Sequence, residues 1–309
     1  MNKQRKKIRR GKDIFYWSIL VFPILQFMIF YVGVNLNSFA LAFQSFDYKG
    51  NGFSFVGFEN FFTNFLDVFK EFEEAQYLQD AFKNSILVFG VSLIVGLSLA
   101  LLFSYYIYKK SALSKFYKVI LFLPSVISSI TLVIIYKYFA EDAIPEIILR
   151  ITGKEIQGLL SNPETEFGAI LFFTIWTSFG IQTLIYSSSM SAISNEIVEA
   201  AKMDGITPLK EFLLIDIPMI APTIGVFVVS STATIFVNQM NLFNFYGGGA
   251  SNYNIWNIGY YMYARIAAPE TTLADYPFYA AFGLVMTFIT IPITFLVRYL
   301  MNKMDPNEG

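Results

Sequence analysis

Six apolar runs of about 20 residues or more, separated by polar segments, constrain this 309-residue chain more than any other feature. They cover residues 14–34, 82–108, 119–139, 167–190, 218–243 and 277–300. At 1.5 Å of rise per residue, about 20 residues of helix cross the roughly 30 Å hydrocarbon layer of a bilayer. Backbone polar groups in hydrocarbon must be paired inside the protein, and segments of this length meet that demand as helices. The expected fold is therefore all-α, a polytopic membrane protein with six transmembrane helices. Composition agrees, since 55% hydrophobic and 15% charged residues leave too few charges for a soluble surface.

Basic residues set the orientation. Seven of them (Lys3, Arg5, Lys6, Lys7, Arg9, Arg10 and Lys12) precede the first run. A basic stretch before an apolar run can also open a secretory signal, and Ala40-Leu41-Ala42 resembles a cleavage site. The first run is longer than a signal core, so it reads as a retained helix in which Pro23 is tolerated. Fifteen of the 22 Lys and Arg lie in the N-terminal segment, the 109–118 loop, the 191–217 loop and the C-terminal end. The positive-inside rule makes these segments, and both termini, cytoplasmic. The loops at 44–81 and 140–166, which are predominantly acidic, then face outward. The chain divides into a basic segment (1–13), a membrane domain (14–300, with the cytoplasmic loop 191–217) and a tail (301–309).

Several absences narrow the function. The chain holds no Cys and no His, which removes thiol and Ser/His/Asp chemistry, His-containing zinc sites and disulfides; no catalytic or metal-ligating residue is assigned. A net charge of −1, with the basic residues sorted by side, offers nothing to nucleic acid. No Asp or Glu lies within the six runs, whereas ion-coupled transporters ordinarily need intramembrane ionisable groups or broken helices. The phosphate-binding pattern G-x-x-x-x-G-K-[ST] is missing, because Gly11-Lys12 and Gly153-Lys154 continue into Asp13 and Glu155. If ATP drives this protein, a separate polypeptide binds it.

Within the fifth run, Ser231, Thr234, Asn238 and Asn241 recur at steps of three and four, which places them on one face of a helix. Such a stripe serves either as interhelical hydrogen bonding or as the lining for a polar solute. In the fourth run Trp176, Thr177, Ser178 and Gln182 combine an aromatic face with hydrogen-bonding groups.

The loop between these runs reads as two short helices. The first spans about 195–203 and ends at Gly205, the residue best suited to a positive φ. Thr207 and Pro208 provide an N-cap and first turn for a second helix through about Leu214, and Pro218 leads into the membrane. Ala200 and Ala201 form a low surface that another protein can approach closely, rimmed by Glu199, Asp204 and Glu211.

Here the chain resembles the membrane subunits of binding-protein-dependent ABC importers. Their characteristic loop reads E-A-A, three residues, G, nine residues, then I-x-L-P; this chain has Glu199-Ala200-Ala201, Gly205 and Ile215-x-Ile217-Pro218. Phe22-Pro23, Phe122-Leu123-Pro124, Ile175-Trp176 and the Gly247-Gly248-Gly249 segment resemble the carbohydrate, maltose-type branch, although Tyr246 and Ala250 replace its usual Thr and Pro around the triple glycine. The resemblance implies a multi-pass permease in a bacterial or archaeal cell membrane. Its coupling loop, through Glu199, Ala200, Ala201, Asp204, Gly205 and Pro218, would dock on an ATPase subunit that holds ATP and Mg, with no cofactor on this chain. It implies a second homologous permease subunit, an extracytoplasmic solute-binding protein and a sugar substrate. Carried onto matching positions, Trp176, Ser178, Ser231, Thr234, Ile235 and Asn238 line the solute path. A permease for another polar solute, or an ion-coupled secondary transporter, is the alternative.

Overall fold

The computed structural model describes residues 15–50, 52–250 and 252–304. The N-terminal basic segment 1–13 and residues 305–309 of the expected tail lie outside the described residues. The described residues form two compact units, one holding the residues up to Lys70 with Glu270–Val285, the other Glu71–Pro269 with the residues from Met286 onward.

The first unit opens with α1 (Phe15–Leu41), long and apolar enough to cross a membrane and without a buried residue in its most apolar stretch. An antiparallel hairpin follows, β1 (Gln44–Asp47) on β2 (Gly52–Phe55), with Phe46 opposite Phe53. Next comes the amphipathic α2 (Phe58–Glu74). The stretch 44–81, expected as a polar loop, is thus structured: Phe58, Phe61, Phe62, Phe65 and Phe69 recur at helical spacing, and the acidic residues between them form the opposite face. The Phe61 ring stacks on Phe43 at 4.7 Å, fixing the hairpin to α2.

In the second unit α3 (Gln76–Tyr108), which contains a π-helical stretch at Ser92–Gly96, packs along most of its inner half against α6 (Glu166–Ser191). Between them in sequence lie α4 (Ser114–Val126) and α5 (Ser129–Thr152), bent by 107° to one another. The third run, expected as one helix over 119–139, is therefore broken. Pro124 removes the bond to the carbonyl four residues back, and Ile127 and Ser128 adopt extended backbone before α5 restarts. Gly180 of α6 makes the α4 contact possible, since a Cβ there would overlap the Leu121 carbonyl. Ser104 of α3 donates to the Thr183 carbonyl at 2.9 Å, a second close tie to α6.

After α6 come α7 (Asn195–Met203), α8 (Pro208–Met219) and α9 (Ala221–Ala233), the last two bent by 69°. The charges on α8, Lys210, Glu211 and Asp216, leave it on the cytoplasmic side of the bend, with α9 entering the membrane. Short helices α10 (Leu242–Tyr246) and α11 (Ile258–Ala267) precede the long α12 (Tyr276–Asn302), which continues from the first unit into the second. Among the described residues four helices are each long and apolar enough to cross a membrane alone, and the total rises to six if each bent pair is one span. The core of the second unit runs from Ala100 and Leu101 through Ile175, Phe179 and Met190 to Ile224 and Val228.

Candidate functional site

The fifth span departs from the straight helix that the 3-4-3 spacing of its polar residues predicts. Helix α9 ends at Ala233, and 234–241 is a run of turns in which Met240 and Asn241 have φ of 52° and 59°. The sequence supplies the reasons. Thr234 turns its hydroxyl back on the Ser230 carbonyl at 3.1 Å. Asn238 accepts from the Met240 N–H at 2.9 Å, and Asn241 is a residue type that tolerates left-handed backbone. The Asn257 carboxamide then donates to the freed Asn238 carbonyl at 2.7 Å.

The unwinding builds one side of a cavity of about 130 Å³, enough for several waters. Ser231, Thr234, Ile235 and Asn238 face it from this side. Helix α6 contributes Thr174, Ser178, Gln182 and Tyr186. Helix α3 contributes Ser85, Ser92 and Gly96, the last two from its π-helical stretch, and Asn257 completes the polar lining. Ser178, Thr234 and Asn238 remain exposed, so the cavity is open along that side. None of its lining residues is charged. Five of the six solute-path residues expected from sequence thus meet around one space. Trp176 lies outside the lining, packed edge-on to Phe173 at 6.1 Å, and Asn241 is also outside it.

Thr174 and Tyr186 of α6, and Ser85, Ser92 and Asn257, join the lining without being expected from the sequence. The signal for α6 was available: 174, 178, 182 and 186 are spaced by four residues, one stripe about 18 Å long. It is obscured because Thr177, Thr183 and Ser187 place further polar groups on other faces of α6.

The loop after α6 is a helical hairpin. Ser194 caps α7 by accepting from the Glu196 N–H at 3.3 Å, and the helix closes through Gly205 at φ 73°, where Ile206 N–H donates to the Ala201 carbonyl at 3.2 Å. Thr207 and Pro208 open α8 as expected, although the Thr207 side chain makes no capping bond. Helix α8 runs beyond Leu214 through a π-helical stretch at Phe212–Asp216. Val198 and Phe212 anchor the hairpin in the core. Its outer side leaves Glu199, Ala200, Asp204 and Gly205 exposed and Ala201 partly so, together with Met203, 89% exposed. Pro218 lies half-buried at the end of α8.

Glu211 does not join that rim. It is 4% exposed and accepts from Lys109, at the end of α3, at 2.5 Å, while Tyr105 of α3 donates to the Pro208 carbonyl at 2.9 Å. Asp216 lies fully buried nearby, with neither carboxylate oxygen hydrogen-bonded among the described residues. Burial pushes its pKa up to about 6; Lys109 draws it down and Glu211 raises it.

Comparison with known proteins places this architecture. Residues 92–307 match the family described as binding-protein-dependent transport system inner membrane component. The probable starch degradation products transport system permease protein AmyD of Thermoanaerobacterium thermosulfurigenes is 28% identical over 248 residues, 78% of this chain and 80% of that protein. The osmoprotective compounds uptake permease protein GgtC of Synechocystis sp. is 30% identical over 236 residues, covering 70% of this chain and 76% of its own length. A crystal structure of a bacterial ABC transporter involved in the import of the acidic polysaccharide alginate superposes with a TM-score of 0.75 over 97% of this chain and 99% of that one, at 20% identity, a likeness of fold. The hairpin between two spans that share a polar cavity is thus set in a chain that belongs to the family of inner membrane components of binding-protein-dependent transport systems.

Proposed function

We propose that this chain is the permease subunit of an ATP-driven importer of a sugar or oligosaccharide. The observation that carries the proposal is the continuity of the hairpin with α6 and α9, the two helices flanking the cavity. A force applied to the exposed face at Glu199, Ala200, Ala201, Asp204 and Gly205 acts on both walls of the cavity, with Pro218 at the outgoing hinge. ATP and Mg are held by separate ATPase subunits that dock on this face. The exposed Met203 and the small alanines suit a groove on such a partner.

The cavity is only half of a pathway. Its open side, at Ser178, Thr234 and Asn238, is closed by a second homologous permease subunit, and an extracytoplasmic binding protein delivers the solute. The starch-product and osmoprotectant permeases among its relatives support a hydroxyl-rich solute. Aromatic and aliphatic walls with hydrogen-bonding side chains, and no charge, fit such a molecule. Trp176 contributes by packing behind the lining.

The test is purification of an affinity-tagged chain from its native membrane under mild detergent. Expected are a second permease, an ATPase and vanadate-sensitive ATP hydrolysis in the same complex. A chain that purifies alone and takes up solute on a proton or Na⁺ gradient after ATP depletion overturns the proposal.

A further inference from the structure

The cavity has a direction. On α6, Tyr186 is its lining residue nearest the cytoplasmic hairpin; on α3 that position is held by Leu97, and on α9 by Phe227. Immediately beyond them the cytoplasmic side is sealed by the apolar core around Met190 and Ile224, and by a 3.2 Å hydrogen bond between Ser189 of α6 and Thr223 of α9. Tyr186 is therefore the last polar group before the seal.

Its hydroxyl is also anomalous. The residue is 0% exposed, and the hydroxyl has no hydrogen-bond partner among the described residues. The ring is held edge-on to Phe227, with centroids 5.4 Å apart. A buried hydroxyl without a partner is unfavourable, and one fixed at the end of a polar stripe calls for an occupant. Ser178, Thr174 and Thr234, by contrast, each bond a backbone carbonyl of their own segment.

We infer that Tyr186 contacts the solute at the inner end of the cavity, and that this site takes a neutral, polyhydroxylated molecule and rejects an anionic one. A hydroxyl-bearing solute gives the phenol an acceptor, while Gln182, one turn away, offers both donor and acceptor. An anion reaching the same depth meets no Lys or Arg among the lining residues and loses its hydration without compensation. The inference rests on the importer reading above and adds the residue and the charge class to it.

The test uses the complete transporter, with its ATPase and binding protein, in proteoliposomes. Probes are the neutral maltose, maltotriose, sucrose and glycerol, and the anionic alginate trisaccharide and glycerol 3-phosphate. Expected are ATP-driven uptake of at least one neutral probe and none of the anionic ones. Tyr186→Phe, which keeps the ring against Phe227, is expected to raise the KM for that probe about three- to tenfold, the range of one neutral hydrogen bond. Its Tm should be unchanged or higher, since no protein bond is lost. An unaltered KM overturns the contact whatever the Tm, and a lower Tm beside it makes Tyr186 a packing residue; uptake of an anionic probe overturns the charge selection. Absence of ATP-dependent uptake of every probe overturns the importer reading itself, a result distinct from both.

Discussion

Lys109 reaches the Glu211 carboxylate at 2.5 Å, joining the cytoplasmic end of α3 to the first turn of α8. The side chains are 24% and 5% exposed, so the pair is largely withdrawn from water. Removing the cation leaves Glu211 and the buried Asp216 facing each other uncompensated. Lys109→Met should therefore destabilise the purified protein by about 3 kcal/mol. Adding Glu211→Gln should restore part of the loss, and thermal unfolding of the four proteins in a double-mutant cycle measures the coupling. A coupling near zero means that the pair contributes no stability.

Asp216 makes stability depend on pH in the sense opposite to a salt-bridged carboxylate. Its folded pKa of about 6 lies above the ordinary 3.8, so between these values the folded protein holds a proton that the unfolded chain releases. Stability is then highest below about pH 4, as far as this group is concerned, and falls as pH rises through 6, by at most about 3 kcal/mol. Asp216→Asn should raise Tm at pH 8 and flatten its change between about pH 4 and 6.

Gly180 lies so close to α4 that its missing Cβ is replaced by the Leu121 carbonyl. That neighbour is backbone and cannot swing aside. Gly180→Ala should cost about 2 kcal/mol or more by forcing α4 and α6 apart. The control is Gly90→Ala in α3, where a Cβ meets nothing within 4 Å; it should be neutral or stabilising by about 0.5 kcal/mol.

At Gly205 there is space for a side chain but not the right backbone: nothing lies within 4 Å of where a Cβ would sit, yet φ is 73°. Valine is strained there and asparagine is tolerated. Gly205→Val should abolish solute-stimulated ATP hydrolysis with near-normal abundance in the membrane, and Gly205→Asn should retain most of it. Equal activities for the two variants would falsify the claim that the turn shapes the docking face.

What could be read from sequence follows from how local its causes are. The α7 helix, the Gly205 turn and the Pro208 start are set by residues within a few positions of each other, and all are present in the structure. Glu211 points inward because of Lys109, 102 residues earlier, and no local pattern carries that information. The same holds for the fifth span. Its 3-4-3 polar spacing is real, yet Ser231, Thr234 and Asn238 share a cavity through an unwound backbone supported by Asn257 rather than along a helix face. Pro124 is a local cause of the bend, but the restart of the chain at Ser129 and the packing of Leu121 on Gly180, 59 residues later, are not carried by any local pattern.

The unwound stretch at 234–241 also dictates an order of events during synthesis. Helix α9 has 13 residues, about 20 Å, which alone is too short for the hydrocarbon layer. The peptide groups beyond Ala233 cannot face lipid unpaired. Two of their supports come later in the chain: Asn257, bonded to the Asn238 carbonyl, and Gly259, where a Cβ would lie 2.6 Å from the carbonyl oxygens of Val237 and Asn238. A fifth segment leaving the insertion machinery by itself has neither. Both are gained only once residues 257–259 have been made, so the unwound stretch reaches its final form together with the last part of the chain rather than with α9 alone.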